Sequence, residues 1–424
     1  MLLVSKTYWA GMPFWFRQTP ADARVESLAL RAHDFRQLRA LYWTSDRHPR
    51  PNTGIVVIHP RVDFTHHYTI PRLISAGFGV LAANTRHAGN DLFAEHEDMV
   101  LDVAACVRHL REDRKVDNVV LLGNCGGGSL VALYQAQAKL APAERIARSP
   151  GGTVTHFEGA PLVPAQAMIY IAPHRGQGKV LQAAIDPSVT DENDPLSCDS
   201  SLDMYDASNG FVEPPRWSVY DPAFVTRYRE AQRARVQRLD AIARALINRQ
   251  TDATVAANAA GFAGQPLAQR QATDRRRACE PVMVIYRTMA NPAFVDRTID
   301  PSERDHGSLL SERPDLMNYA ALGLARTCTP RAWLSTWSGA SSNADLIRNV
   351  ARITEPTLLV HAGRDREVFP SDVAAITGAL AATDNQVHTV DRARHYFEPD
   401  PGEREGHVEP LMDIVVPWLQ ERFA

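Results

Sequence analysis

Hydrophobic residues along the first third of the chain follow two alternating patterns. Short, continuous apolar runs, typical of buried strands, alternate with stretches in which apolar residues recur every three or four positions, typical of helices. The helical pattern is clearest over residues 95–111, where Met99, Val103, Val107 and Leu110 share one side. The strand-like runs cover residues 26–32, 38–43, 54–59, 79–83 and 118–122. Strands that alternate with helices favour parallel β-α-β units and a doubly wound, mostly parallel sheet.

The alternation stops after a sixth strand-like run, at residues 167–172, and resumes only near residue 350. Between them the pattern predicts a long helix over residues 222–247 and a lone strand over 282–287. The later part predicts strands at 357–361 and 386–390 and helices at 371–382 and 409–422. Because unstructured loops of this length are improbable, we predict an inserted, mainly helical lid after the sixth strand. The predicted core is 1–173 with 350–424, and the insert is 174–349; a purely stabilising appendage is the alternative.

Composition and charge exclude several classes of protein. The 424 residues are 45% hydrophobic and 22% charged, with a formal net charge of −3, which is ordinary for a soluble globular chain. No basic field is available to recruit nucleic acid or an anionic membrane. The five cysteines are odd in number and lack metal-ligand spacing, which favours a reducing compartment. We recognise no signal peptide and no membrane span, and therefore predict a cytoplasmic location.

The strongest local signal is the stretch NVVLLGNCGGGSL at residues 118–130. It predicts a strand, a sharp turn with Cys125 at its apex, and a helix whose hydrophobic pattern covers residues 130–140, because such a turn needs small residues beside the apex. The helix N-terminus favours a thiolate at Cys125, and the backbone N–H of Gly126 is a candidate oxyanion donor. Two alternatives are a phosphate-binding loop, which lacks the Gly-Lys-Ser/Thr ending here, and a buried structural cysteine.

With this motif the chain resembles the α/β-hydrolase superfamily over most of residues 26–172 and 351–424. The family's acid follows a late strand, as Asp365 does in TLLVHAGRD, and its histidine follows the last strand, as His395 does in RARHYFEP. The order nucleophile, acid, histidine is the one that this fold requires. The resemblance implies an α/β-hydrolase fold in which Cys125 is the nucleophile, His395 the base and Asp365 the acid that orients it. The alternatives are a helix-capping role for Asp365 and a surface position for His395, with His407 as the other candidate histidine.

The resemblance also implies a second oxyanion donor in the loop after the third strand. Pro60 has no N–H, so we predict the backbone of Arg61, with Val62 as the alternative. Candidate substrate-binding side chains, each with a structural or surface role as its alternative, are Arg61, Arg86, His87 and His174. The acidic residues between 186 and 194 fit turn chemistry better than a metal site, and we predict no metal and no cofactor.

Cysteine in place of the common serine resembles dienelactone hydrolases and polyhydroxyalkanoate synthases, in the elbow motif alone. A thiolate that attacks an activated carbonyl forms a thioester acyl-enzyme. Three hypotheses follow: hydrolysis of an ester, lactone or thioester; acyl transfer to an acceptor other than water; and a non-catalytic binding protein of the same fold. The predicted partner is a small acyl substrate, with carboxylate-bearing and coenzyme A-bearing compounds as candidates, and a homodimer is left open.

Overall fold

A single sheet of eight strands forms the centre of the computed structural model, which describes residues 15, 16 and 18–423. The strands, in chain order and with a short ribbon of two further strands, are β1 (Ala23–Arg31), β2 (Gln37–Ser45), β3 (Thr53–His59), β4 (Gly79–Asn84), β5 (Asn118–Asn124), β6 (Ala167–Ile171), β7 (Met283–Val284), β8 (Thr327–Cys328), β9 (Thr357–Ala362) and β10 (Asn385–Val390). Only β7 and β8 lie outside the large sheet, where they pair with each other.

The order of strands across the large sheet is β1-β2-β4-β3-β5-β6-β9-β10. β2 runs antiparallel to both of its neighbours, and all pairs from β4 to β10 are parallel. This order, with one antiparallel strand near the edge and helical crossovers, is that of the α/β-hydrolase fold. The predicted fold class is confirmed, and all eight strands predicted for the core are present.

Helices cover both faces of the sheet. Those of the core are α1 (Ile70–Ser75), α2 (His96–Arg108), α3 (Gly126–Ala138), α10 (Pro370–Ala379) and α11 (Val408–Phe423), and those between β6 and β9 are α4 (Gln177–Ala184), α5 (Pro222–Asn258), α6 (Leu267–Ala278), α7 (Pro314–Met317), α8 (Pro330–Ala332) and α9 (Leu346–Val350). Alternate residues of each strand point to opposite faces, so Val56 and Leu121 pack with α2 and α3, whereas Ile55 and Val120 pack with α1 and α11. No helix in the described part of the chain is both long and apolar enough to cross a bilayer.

The segment between β6 and β9 has a buried cluster of its own. Tyr228 and Leu239 of α5 pack there with Trp333 and Trp337, and Phe369, at the start of α10, belongs to the same cluster. The segment therefore packs against the loop that follows β9, and it covers the edge of the sheet at which the parallel strands end. That residues 174–349 act as a separate lid stays a prediction.

Three predicted elements differ most in their bounds from the structure. The helix after the elbow begins at Gly126 rather than at Leu130, the helix expected over 222–247 continues to Asn258, and the strand expected over 282–287 is only Met283–Val284. The first difference has a clear reason: glycines carry no hydrophobic pattern and have low helix propensity, so periodicity cannot reveal a helix that begins with three of them.

Candidate active site

Cys125 lies at the sharp turn between β5 and α3. Its backbone has φ 54° and ψ −126°, a strained conformation for a residue with a side chain, and its N–H donates to the carbonyl of Ile171 on β6 (3.1 Å). The turn brings backbone segments into contact, since a Cβ atom on Gly123 would lie 2.6 Å from the backbone of Gly128. Only glycine fits such a close approach of two backbone segments. The glycines of the motif therefore allow the sharp turn that holds Cys125 in its strained conformation.

His395 and Asp365 form a buried pair. His395 Nδ1 lies 2.7 Å from Asp365 Oδ2, and both residues are 2% exposed. The other carboxylate oxygen, Oδ1, accepts the backbone N–H groups of Glu367 (2.8 Å) and Val368 (3.0 Å), so the carboxylate cannot rotate freely. An ionised carboxylate only accepts hydrogen bonds, so His395 Nδ1 carries a proton.

The charges around His395 favour its protonated form. Burial alone lowers the pKa of His395, but the negative charges of Asp365 and of Cys125 outweigh it and hold that pKa well above the usual value. Burial likewise raises the pKa of Asp365, yet the charge of His395 and its hydrogen bond outweigh burial and lower it. His395 Nε2 is buried and forms no hydrogen bond of standard geometry within the described residues, but interaction with the Cys125 side chain is a further cause that raises the pKa of His395. The two side chains therefore lie next to each other.

A small cavity of about 20 Å³ adjoins Cys125, which is only 5% exposed. A space of that size holds about one water molecule. Its walls combine core residues with residues from the segment between β6 and β9, which are His174, Gln177, Val180, Leu309, Leu310, Leu324 and Trp337. The site is closed in this conformation, and a substrate requires that segment to move or its side chains to rearrange.

The backbone N–H of Arg61 is not available to an oxyanion in this conformation. The N–H groups of both Arg61 (3.1 Å) and Val62 (3.0 Å) donate to Nδ1 of His59. The Arg61 side chain pairs with Asp91, to which its Nε donates at 2.6 Å, and its guanidinium lies 4.6 Å from the ring centre of Trp337. Arg61 lines the cavity next to Cys125. That its backbone N–H, or that of Val62, donates to an oxyanion stays a prediction.

Two histidines present ring N–H groups at the elbow. His59 Nδ1 accepts from the backbone, as described, and His174 Nδ1 accepts the N–H of Gly176 (3.0 Å), so the proton of each neutral ring lies on Nε2. A Cβ atom on Gly126 would lie 3.0 Å from both Nε2 atoms. Burial, the largest cause, lowers the pKa of His59 well below the usual value and that of His174 to about 3. Both rings are therefore neutral donors at neutral pH.

Sequence reasoning named His174 but missed His59 and Glu367. His59 is the last residue of β3, and His174 and Glu367 lie in the loops that follow β6 and β9, at the edge where open α/β sheets bind ligands. This position at the strand ends is the sequence signal that could have identified His59 and Glu367 as site residues. Ligand atoms of Cys125, His174 and Glu367 lie within 4.8 Å of one another, the one such group close enough to share a metal ion among the described residues. A metal there would occupy the sulfur of Cys125, the predicted nucleophile.

Two predicted substrate-binding residues do not line this cavity. The Arg86 side chain binds two carboxylates, donating from Nε to Asp102 (2.9 Å) and from its terminal nitrogens to Asp34. His87 Nε2 lies 3.6 Å from Asp98. Both residues belong to the loop after β4 and hold it against neighbouring elements. The structure thus favours the structural alternative for this pair.

Comparisons with known proteins agree with a distant likeness in fold. The sequence matches no protein-family model and no curated protein. Similar solved structures include the alpha/beta hydrolase GrgF from Penicillium sp. sh18 (12% identity, 94% of this chain and 99% of that chain, TM-score 0.48). Another is Est1E from Butyrivibrio proteoclasticus (11% identity, 93% of this chain and 98% of that chain, TM-score 0.46). A third is the Pyrococcus furiosus esterase Pf2001 (12% identity, 96% of this chain and 96% of that chain, TM-score 0.45). The order of strands across the large sheet assigns the fold.

Proposed function

We propose that this protein is a hydrolase that cleaves a carboxylic ester, lactone or thioester through an acyl-enzyme on Cys125. The observation that carries the proposal is the buried His395–Asp365 pair, 2.7 Å apart, next to Cys125 at the apex of a strained elbow. A buried, inert cysteine would not need a histidine and a carboxylate held in this way.

The chemistry follows from these three side chains. Cys125 gives its proton to His395 Nε2, its sulfur attacks the carbonyl carbon, and the carbonyl electron pair moves onto oxygen. Collapse of this intermediate breaks the bond to the alcohol or thiol, which leaves with the proton from His395. Water then attacks the thioester while His395 takes its proton, and collapse releases the acid and the Cys125 thiol. Asp365 holds the ring and stabilises its charged form throughout.

Negative charge that develops on the carbonyl oxygen needs hydrogen-bond donors, and we infer that side chains supply them together with Gly126. Gly126 is the first residue of α3, so its N–H has no intrahelical acceptor. The Nε2–H groups of His59 and His174 face the same place and are fixed by the bonds at their Nδ1 atoms. Neutral, preorganised donors in a water-poor site stabilise an oxyanion strongly.

Substitution of His59 by asparagine tests this donor. Asparagine retains an acceptor for the Arg61 and Val62 N–H groups but removes the Nε2–H, so we expect kcat to fall about 10²-fold with little change in KM. Steady-state kinetics would measure both, and thermal unfolding would show that the loop is intact. His388→Asn, on the edge strand β10, is the matched control. A variant that loses only stability, or in which only KM rises, would contradict a role for His59 in the transition state.

The acyl-enzyme itself is the direct test of the proposed function. After brief incubation with 4-nitrophenyl butyrate and an acid quench, we expect intact-protein mass spectrometry to show one added butyryl group, mapped to the peptide containing Cys125. The exposed Cys198 and Cys279 are changed to alanine beforehand, so that slow surface acylation cannot imitate the result. Absence of the adduct, together with turnover that persists in Cys125→Ala, would rule the proposal out.

Acyl transfer is a second candidate, favoured by the closed cavity of about 20 Å³ beside the nucleophile. A site that excludes water protects a thioester until another acceptor arrives. Hydrolysis and transfer differ in their products. If added alcohols or thiols capture most of the acyl group at millimolar concentration, the protein is a transferase; if the free acid dominates, it is a hydrolase.

A further inference from the structure

A second cavity, of about 210 Å³, lies beside the one at Cys125. It is bounded by α4, by α5 and by the loop between β9 and α10. Two residues, Val180 and Glu367, line both cavities, and a carboxylate oxygen of Glu367 lies within 4.8 Å of the Cys125 sulfur. A molecule whose carbonyl group reached Cys125 would therefore have this second space next to it.

Cationic side chains dominate the walls of the second cavity. Four of them line it, Arg175, Lys179, Arg229 and Arg233, against the carboxyl groups of Glu367 and Asp372. Burial raises the pKa of Glu367, and it raises the pKa of Asp372 to about 6. Both shifts reduce the negative charge that could balance the four cationic side chains. The cavity therefore carries a net positive charge at neutral pH.

Arg229 has only neutral partners. Its terminal nitrogens donate to the carbonyl of Ala183 (2.8 Å), to Gln232 Oε1 (2.9 Å) and to Asn291 Oδ1 (2.7 Å). Burial, the largest cause, lowers its pKa, and the charge of Asp372 offsets this only in part, without a hydrogen bond between the two side chains. On the same helix, the buried Arg235 differs, because it pairs directly with Glu192.

Arg175 is also incompletely satisfied. Its Nε is buried and has no hydrogen-bond partner among the described residues, and its NH1 lies 3.9 Å from Asp372, at the limit of an ion pair. Arg175 follows β6 directly, on the same loop as His174. Two guanidinium groups thus border one cavity: that of Arg229 has no ion-pair partner in hydrogen-bonding contact, and that of Arg175 has a buried N–H without an acceptor among the described residues. Guanidinium groups bind planar carboxylates in a bidentate manner.

We propose that this cavity binds a carboxylate at the far end of the acyl chain, so that the substrates are half-esters or half-thioesters of dicarboxylic acids. The inference rests on the proposed function, because it takes Cys125 as the group that meets the substrate carbonyl. A space of about 210 Å³ accommodates a short acid but not a whole coenzyme A molecule. A phosphate of coenzyme A shares the anionic chemistry, and the experiment separates the two.

Binding is measured first, without turnover. Isothermal titration calorimetry is expected to show that the Cys125→Ala variant binds glutarate. Adding Arg229→Gln or Arg175→Gln to this variant is expected to raise the Kd for glutarate about 10- to 100-fold. Arg244→Gln, an exposed position farther along α5, is the matched control and is expected to bind as the parent does. Dimethyl glutarate, which lacks the charge, is expected not to bind measurably. If coenzyme A binds through Arg229 and glutarate does not, the carboxylate assignment is overturned.

Kinetics then separate this inference from the proposed function. With Cys125 present, ethyl hydrogen glutarate is expected to have a higher kcat/KM than ethyl butyrate. Arg229→Gln or Arg175→Gln is expected to remove that preference, whereas the control Arg244→Gln is expected to retain it. Glutarate binding without hydrolysis of either ester would uphold the subsite and refute the proposed function. Hydrolysis with no preference and no glutarate binding would refute the subsite alone.

Discussion

Replacement of Cys125 by alanine is expected to lower kcat by about 10⁴-fold or more, the loss typical of removing the nucleophile of a triad. Alanine has no group that can attack a carbonyl, whereas the elbow, the His395–Asp365 pair and the donors at Gly126 remain in place. Steady-state hydrolysis of 4-nitrophenyl butyrate measures the effect, and circular dichroism checks that the fold is retained. Alanine also tolerates the backbone at φ 54° no worse than cysteine, so we expect no large loss of stability.

Controls for this experiment come from the other cysteines. Cys198→Ala and Cys279→Ala change exposed thiols far from the elbow in sequence and are expected to leave kcat unchanged. Cys125→Ser is expected to retain part of the activity, since serine also has an attacking oxygen and the same His395 can take its proton. Wild-type turnover in Cys125→Ala would mean that the sulfur is structural and that the chemistry, if any, belongs to another group.

The core could be predicted from the sequence because its signals are local. A strand such as β5 is a continuous apolar run, and the glycines around Cys125 reveal the turn that follows. Asp365 and His395 follow strands in the order that the fold requires, so their proximity to each other needed no knowledge of distant contacts. The same logic failed at the start of α3, where glycine carries no pattern that marks a helix.

The roles of the other site residues depend on contacts between segments that are distant in the sequence. His59 becomes a fixed donor only because its Nδ1 accepts from Arg61 and Val62, and no sequence pattern states which ring nitrogen faces the elbow. Arg229 borders a cavity only because the register of α5 against α4 and Asn291 places it there. Arg86 was a candidate substrate-binding residue, but its side chain pairs with Asp34 and Asp102, which lie 52 and 16 positions away in the chain.

Substitution of Asp365 by asparagine is the second change expected to have a very large effect, about 10⁴-fold in kcat. Asparagine keeps the acceptor for the Glu367 and Val368 N–H groups, so the loop after β9 is retained. Its amide, however, turns an N–H toward His395 Nδ1, which can then only accept. The ring proton moves to Nε2, and His395 can no longer take a proton from Cys125. Steady-state kinetics with ethyl butyrate measures the loss.

The pH dependence of the residual activity gives a second readout with a defined sign. The charge of Asp365 is a cause that raises the pKa of His395, so its removal lowers that pKa. The alkaline limb of the kcat/KM profile, where the imidazolium that protonates the leaving group is lost, is therefore expected to move to lower pH in Asp365→Asn. Asp384→Asn, which removes a half-exposed carboxylate paired with Arg422, is the matched control and is expected to leave the profile in place. An alkaline limb that stays fixed in Asp365→Asn would mean that another group titrates there and that His395 is not the acid of the reaction.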